Sequence, residues 1–330
     1  MAVEVSRKSA LVGTPLAGAA FATTTGLAWG GQFVIGKSAL GRVDAFPLTT
    51  VRYAVAALAL LGLLVAVEGT AALRLGGRGL RLAALGTLGF AGFNLLAYTG
   101  LAHAQPQSAA LIVALGPLLT AVVLWLRSRI RPARSPLAAL AVALFGVALV
   151  ISRGDLASIA SGAVGWGDAL VFGGVLSFVL YTLGAADFPD FSPLRFTALT
   201  ATLGLFAILL ATIAATAAGL EHRPSAGDVW AVTPQLLYIT FVGAVVAVLT
   251  WNAAVASIGP QNTALFGNLI PITTFAIEIA RGYRPAALEL VGAALTIGAL
   301  VASNLVLRRR TQRRPVPVLA ATELEHARAA

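Results

Sequence analysis

Pro106-Gln107-Ser108-Ala109-Ala110-Leu111-Ile112-Val113-Ala114-Leu115-Gly116-Pro117-Leu118-Leu119-Thr120 returns later in the chain as Pro260-Gln261-Asn262-Thr263-Ala264-Leu265-Phe266-Gly267-Asn268-Leu269-Ile270-Pro271-Ile272-Thr273-Thr274. The shift is 154 residues without a gap, and seven of the fifteen positions are identical. Matches of Ala and Leu carry little information in an apolar chain. Pro, Gln, Pro and Thr at fixed spacing carry much more, and they mark an internal duplication. In each copy the first proline stands where a helix begins, so its missing N–H costs nothing. The second follows eleven residues later, about 16 Å along a helix axis at 1.5 Å per residue. There it removes a backbone hydrogen bond and bends the helix, which lipid tolerates where the freed carbonyl meets protein or a watery cavity.

The environment of that helix follows from composition. The 330 residues are 58% hydrophobic and 11% charged, with a mean hydropathy of +0.88. That is too little polar surface to coat a soluble globule, so lipid must be the solvent. The chain has no cysteine, which excludes disulfides, thiolate metal sites and cysteine nucleophiles. The net charge of +10 sits between apolar runs and in the tail, as topology signals do, and does not call for nucleic acid.

Apolar runs fall at about 16–36, 48–67, 82–102, 106–126, 136–151, 168–186, 195–218, 233–255, 261–280 and 287–306. At roughly 20 residues per span this predicts an all-α, polytopic membrane protein with ten transmembrane helices. A signal peptide is the rival reading of the first run, after Arg7 and Lys8. It is disfavoured because the run continues to Trp29, Gln32 and Lys37. Five spans separate the two proline copies, so the second copy lies upside down relative to the first. The organisation expected is a cytoplasmic amino terminus (1–15), a first repeat of five spans (16–151), a linker (152–165), an inverted second repeat (166–306) and a basic, disordered cytoplasmic tail (307–330). Basic residues agree: with both termini inside, fourteen fall inside and six outside. Inverted repeats with interrupted helices in matching halves point to alternating-access transport, with the binding site beside the interruptions.

Candidate lining residues follow from cost, because polar and aromatic side chains deep in a span are retained where they face water, solute or another helix. They are Trp29 and Gln32 in span one, Asn94 and Tyr98 in span three, Pro117 in span four and Ser177 and Tyr181 in span six. Span eight adds Trp251 and Asn252, and span nine Asn268 and Pro271. For each alone, an interhelical hydrogen bond is an equal alternative. Trp125, Trp166 and Trp230 read as interfacial belt residues. Glu278 is the acid set well within a span and is the candidate for proton coupling or for holding a solute amine. Its pairing with Arg281, three residues on, is the plainer reading. Lys37 and His103 should be wet. Val51-Arg52-Tyr53 and Leu194-Arg195-Phe196 are matched, and both arginines read as anchors snorkelling to a surface. Phe145-Gly146 and Ile297-Gly298 could let helices approach closely. Gly26-Leu27-Ala28-Trp29-Gly30 is a weak close-packing motif.

Taken together, ten spans in two inverted halves, an Arg early in each second span, proline-bearing fourth spans and glycine-containing fifth spans resemble the drug/metabolite transporter superfamily, specifically its EamA-type members. The resemblance covers residues 16–306. It implies a secondary transporter of the cytoplasmic membrane, an exporter by preference. The solute would pass through a central cavity walled by spans one, three, four, six, eight and nine. The sequence departs from the family where each fourth span commonly ends in Gly-Glu: here stand Arg127-Ser128-Arg129 and Arg281-Gly282-Tyr283. The lining expected suits a small neutral, zwitterionic or amphipathic solute, such as an amino acid. No cofactor or metal is expected, and the partners are solute, bilayer and, as a homodimer, a second copy. No HExxH, GxSxG, Walker loop or paired intramembrane aspartates argue for an enzyme. A non-transporting membrane sensor or assembly protein remains the alternative.

Overall fold

Prolines start four of the helical segments, and glycines end others. Pro15, Pro106, Pro193 and Pro260 each occupy the first helical position of a segment. Before two of them a hydroxyl closes the helix end: Thr14 Oγ1 accepts from Ala17 N at 3.2 Å and Ser192 Oγ from Arg195 N at 2.9 Å. At Gly259 the backbone turns left-handed, with φ of 78°, and the next residue, Pro260, begins a new helix.

The computed structural model describes residues 14–129, 134–157 and 165–312. Arg7, Lys8, Arg131, half of the expected linker (158–164) and the tail from 313 lie outside the described residues. Within them the chain is all-helical. The elements are α1 (Pro15–Ala39), α2 (Ala45–Glu68), α3 (Gly79–His103), α4 (Pro106–Ala114), α5 (Gly116–Ser128), α6 (Arg134–Ile151) and α7 (Trp166–Ala185). They continue as α8 (Pro193–Ala217), α9 (Thr233–Ile258), α10 (Pro260–Phe266), α11 (Leu269–Ala280) and α12 (Ala287–Gln312). Six segments are long and apolar enough to cross a membrane: α2, α3, α7, α8, α9 and the stretch Asn262–Ala280. A seventh is added if α4 and α5, bent by 40° at their junction, are one span. α1 has the length, but it is rich in Gly and Thr. α6 and α12 contribute the shorter apolar stretches Ala141–Ile151 and Ala287–Ala302. The protein is thus a multi-pass membrane protein.

Both long helices α3 and α9 contain a π-helical stretch, Thr87–Gly92 and Tyr238–Val246. Advancing the first by the 154-residue shift of the proline repeat gives 241–246, inside the second. The contacts between the two parts of the chain are also reciprocal. α3 packs on α7 and α9 on α1; α4 packs on α7 and α11 on α1; α2 packs on α8 and α6 on α12.

Close approach depends on small residues. A Cβ on Gly26 or Gly30 would stand 2.8 Å from the carbonyl oxygens of Phe266 and Ile270, so the glycine pair of α1 seats that helix against α10 and α11. Gly146 similarly meets the Gly292 carbonyl at 2.5 Å. Gly298, expected to play the matching part, has open space around it, and Gly292, two turns earlier on α12, takes that place. Trp166 and Trp230 are exposed, as interfacial residues should be.

Candidate functional site

The two prolines interrupt their helices a turn before they occur. Leu115 N bonds back to Ile112 O at 3.1 Å, and Gly267 and Asn268 bond to Ala264 O at 3.1 Å and Leu265 O at 3.3 Å. These are tightened i→i−3 turns, the local answer to a ring that can neither donate nor clear the preceding turn. Between the two breaks lies a cavity of about 100 Å³ whose wall includes Trp29, Gln32, Phe93, Pro117, Phe178 and Trp251. It draws on α1, α3, α4, α5, α7, α9, α10 and α11, which are the expected spans one, three, four, six, eight and nine.

Aromatic rings make up much of that wall. Trp29 meets Phe178 edge-on at 5.5 Å between centroids and Trp251 at 5.3 Å, and Phe93 lies 5.2 Å from Phe178. Trp29 is fixed by donating from Nε1 to the Gly243 carbonyl at 3.0 Å. A smaller recess of about 10 Å³ shares Trp29, Gln32, Phe93 and Phe178 with the cavity. Arg52, Tyr53 and Asn94 close it.

Arg52 is the main departure from the sequence reading. It is 1% exposed, not snorkelling. Its Nη1 donates to Asn94 Oδ1 and Tyr98 Oη, both at 3.0 Å, and its Nη2 donates to Gln32 Oε1 at 2.8 Å. Asn94 in turn donates to Tyr53 Oη at 3.0 Å and to the Phe90 carbonyl at 2.9 Å. The Tyr53 and Tyr98 rings lie 5.0 and 5.4 Å from the guanidinium carbon. All of these partners are neutral, and among the described residues no carboxylate forms an ion pair with Arg52. A guanidinium keeps its proton, and burying an ion without a counter-charge costs several kcal/mol. The depth has a simple cause. α2 starts at Ala45, so Arg52 is about 10 Å inside the helix end at 1.5 Å per residue. Its counterpart Arg195 is only the third residue of α8, donates to the Arg74 carbonyl at 2.6 Å and covers the Phe191 ring. The anchor reading therefore suits Arg195 and not Arg52.

Of the candidate residues, Trp29, Gln32, Pro117 and Trp251 line the cavity and Asn94 the recess. Tyr98 is buried behind them on Arg52. The rest point elsewhere. Ser177 donates to Leu88 O at 2.8 Å. Asn252 donates to Tyr181 Oη at 3.2 Å and to Thr197 Oγ1 at 2.6 Å, a bond network between helices. Asn268 and Pro271 are buried beside the break but outside the lining. Apolar Phe33, Phe93 and Phe178 line the cavity unannounced, because an apolar side chain carries no signal in so apolar a sequence.

Glu278 lies in a separate pocket with Lys37, Gln105 and Tyr283, and its Oε1 is 3.6 Å from Arg281 Nη1. With a side chain 18% exposed it is less buried than Glu289, at 1%. Glu289 sits in the first turn of α12, where it accepts from Tyr283 Oη at 2.6 Å and Ala286 N at 3.2 Å. Lys37, expected to be wet, donates to the carbonyls of Leu101, Ala102 and Ala104 at 2.6, 2.8 and 3.0 Å, closing the end of α3.

Sequence comparisons agree with this architecture. The model of the EamA-like transporter family matches residues 16–152 and again 165–305. Two proteins of Bacillus subtilis (strain 168) are each 29% identical: Uncharacterized transporter YrdR, over 88% of this chain and 92% of its own, and Uncharacterized transporter YyaM, over 84% and 90%. A solved crystal structure, 20% identical, aligns with a TM-score of 0.62 over 88% of this chain and 98% of its own, a likeness of fold. With both halves of the molecule matched separately and the two helix breaks facing one aromatic cavity, the chain belongs to the EamA-like transporter family.

Proposed function

We propose that the protein is a secondary transporter that carries a small metabolite across the cytoplasmic membrane by alternating access, with export as its direction. Ten spans in two inverted five-helix halves, both termini cytoplasmic, form the working arrangement. α1, α6 and α12 cross the membrane beside the more apolar helices, and α4–α5 and α10–α11 act as one broken span each. The observation that carries the reading is the pair of proline-linked helix breaks meeting at a cavity to which both halves contribute. The matched π-helical stretches and the reciprocal helix contacts support the same duplication. Rocking of one half against the other would open that cavity to each side in turn. Glu278, in the separate pocket beside Lys37 and Arg281, is the proposed coupling group.

Cells expressing the intact chain or Trp251→Ala at equal membrane abundance provide the test, by metabolite profiling of cells and medium. A compound depleted inside and enriched outside only with the intact protein supports export. Accumulation inside reverses the direction. No difference under any growth condition tried would favour a non-transporting sensor or assembly role. Flux and pH response unchanged in Glu278→Gln would remove Glu278 from coupling.

A further inference from the structure

We infer that the solute carries a carboxylate and that Arg52 holds it. The inference rests on the transporter reading of the same cavity. Arg52 is the one charged residue lining either the cavity or its recess among the described residues. Three of its five N–H groups are taken by Asn94, Tyr98 and Gln32, and Nε, also buried, has no partner. Both hydrogens of Nη1 are thereby used. The unspent donors are Nε–H and one hydrogen of Nη2, and Nε and Nη2 share the planar edge that grips a carboxylate with two parallel bonds.

Arg52 lines the recess, whose walls are shared with the cavity at Trp29, Gln32, Phe93 and Phe178. Gln32 is the neutral acceptor standing between the two. An entering carboxylate would replace its amide oxygen on Nη2 and add a bond to Nε, turning an uncompensated buried cation into an ion pair. The remainder of the solute would lie against Trp29, Phe93, Phe178 and Trp251. Among the described residues none that lines either space is acidic, so an ammonium group on the solute would find no counter-charge there. The chemistry favoured is a monocarboxylate with an aryl or alkyl body and no amine.

Calorimetric titration of the full-length protein in detergent with 3-phenylpropionate, its neutral amide and 3-phenylpropylamine tests this. The acid should bind the intact protein at least about tenfold more tightly than the amide or the amine. Arg52→Gln should erase the preference. Arg52→Lys, which keeps the charge without the planar edge, should retain part of it and, with the wild-type comparison, decides the matter should Arg52→Gln not fold. Equal binding of acid and amide, no binding of the acid, or a preference that survives in Arg52→Gln would overturn the inference. Proteoliposome flux separates it from the transporter reading. Arg52-dependent acid binding without flux of any solute keeps the inference and defeats transport. Saturable flux of a solute with no preference for the acid does the reverse.

Discussion

Gly243 and Gln32 are so closely opposed that a Cβ on the glycine would stand 1.9 Å from Oε1 of the glutamine, the atom that accepts from Arg52 Nη2. The contact joins the π-helical stretch of α9 to the polar cluster on α1 and α2. Gly243→Ala must push the Gln32 amide aside or open the helix pair. The expected result is a loss of about 1–3 kcal/mol of stability together with reduced flux. Thermal unfolding in detergent and proteoliposome transport measure the two, and a variant unchanged in both would mean that Gln32 is free to move.

Removing the cavity proline should act on flux more than on stability. Pro117→Ala restores a donor to the α4–α5 junction and lets the helix straighten. Unfolding temperature should hold or rise, while flux falls at least about tenfold. Wild-type flux in Pro117→Ala would make the bend a purely structural feature.

Lys37 holds the end of α3 by three carbonyl contacts. Lys37→Met should cost about 1–2 kcal/mol, with Lys37→Arg partly rescuing it. Hydrogen exchange at the amides of residues 99–104 reads the effect locally, and unaltered protection there would discount the cap.

Helix contact between α6 and α12 distinguishes two glycines. Gly146→Leu would drive its side chain into the Gly292 carbonyl and should lower stability by about 2 kcal/mol or more. Gly298→Ala meets open space and should be neutral within about 0.5 kcal/mol. Equal effects of the two on detergent unfolding would contradict the packing described.

One surface pairing is acid-sensitive. Arg78 donates from Nη1 and Nη2 to the two carboxylate oxygens of Asp190, at 3.0 and 2.5 Å, and stacks 4.6 Å from both Phe188 and Phe191. The hydrogen bond from Arg78 holds the Asp190 carboxyl below the ordinary aspartate range. A depressed acid stabilises the fold at pH values above its unfolded pKa, and that contribution is lost as pH falls through the depressed value. The loop at 186–192 should therefore keep its protection at neutral pH and lose it in acid. In Asp190→Asn the protection at neutral pH should already be weaker. Hydrogen exchange corrected for intrinsic rates follows both.

The helical, membrane-spanning character was legible in the sequence, because long apolar runs and paired prolines act locally, through side-chain partitioning and backbone chemistry that tertiary contacts do not change. The helices that wall the cavity are the ones expected through the resemblance. Which polar residues face the cavity was legible only in part: Gln32 lines it, while Ser177 and Asn252 do not. Asn252 and Tyr181 satisfy each other, and a buried amide is equally at ease on a neighbouring helix or on a solute. Arg52 was misplaced for a different reason. Its depth depends on where α2 begins, and a start at Ala45 instead of 48 moves the guanidinium from the rim toward the interior.

The π-helical stretch Thr87–Gly92 bears on that placement as well. A surplus residue absorbed into a helix turns everything beyond it by about 100°, the angle of one residue in an α-helix. Asn94 and Tyr98 lie just beyond the surplus and both face Arg52. The stretch thus works as a phase setter, dialling one end of α3 toward the charge while the other keeps its own packing. Excising a single residue from it would leave every side chain of the cluster in the protein and aim Asn94 and Tyr98 away from the guanidinium.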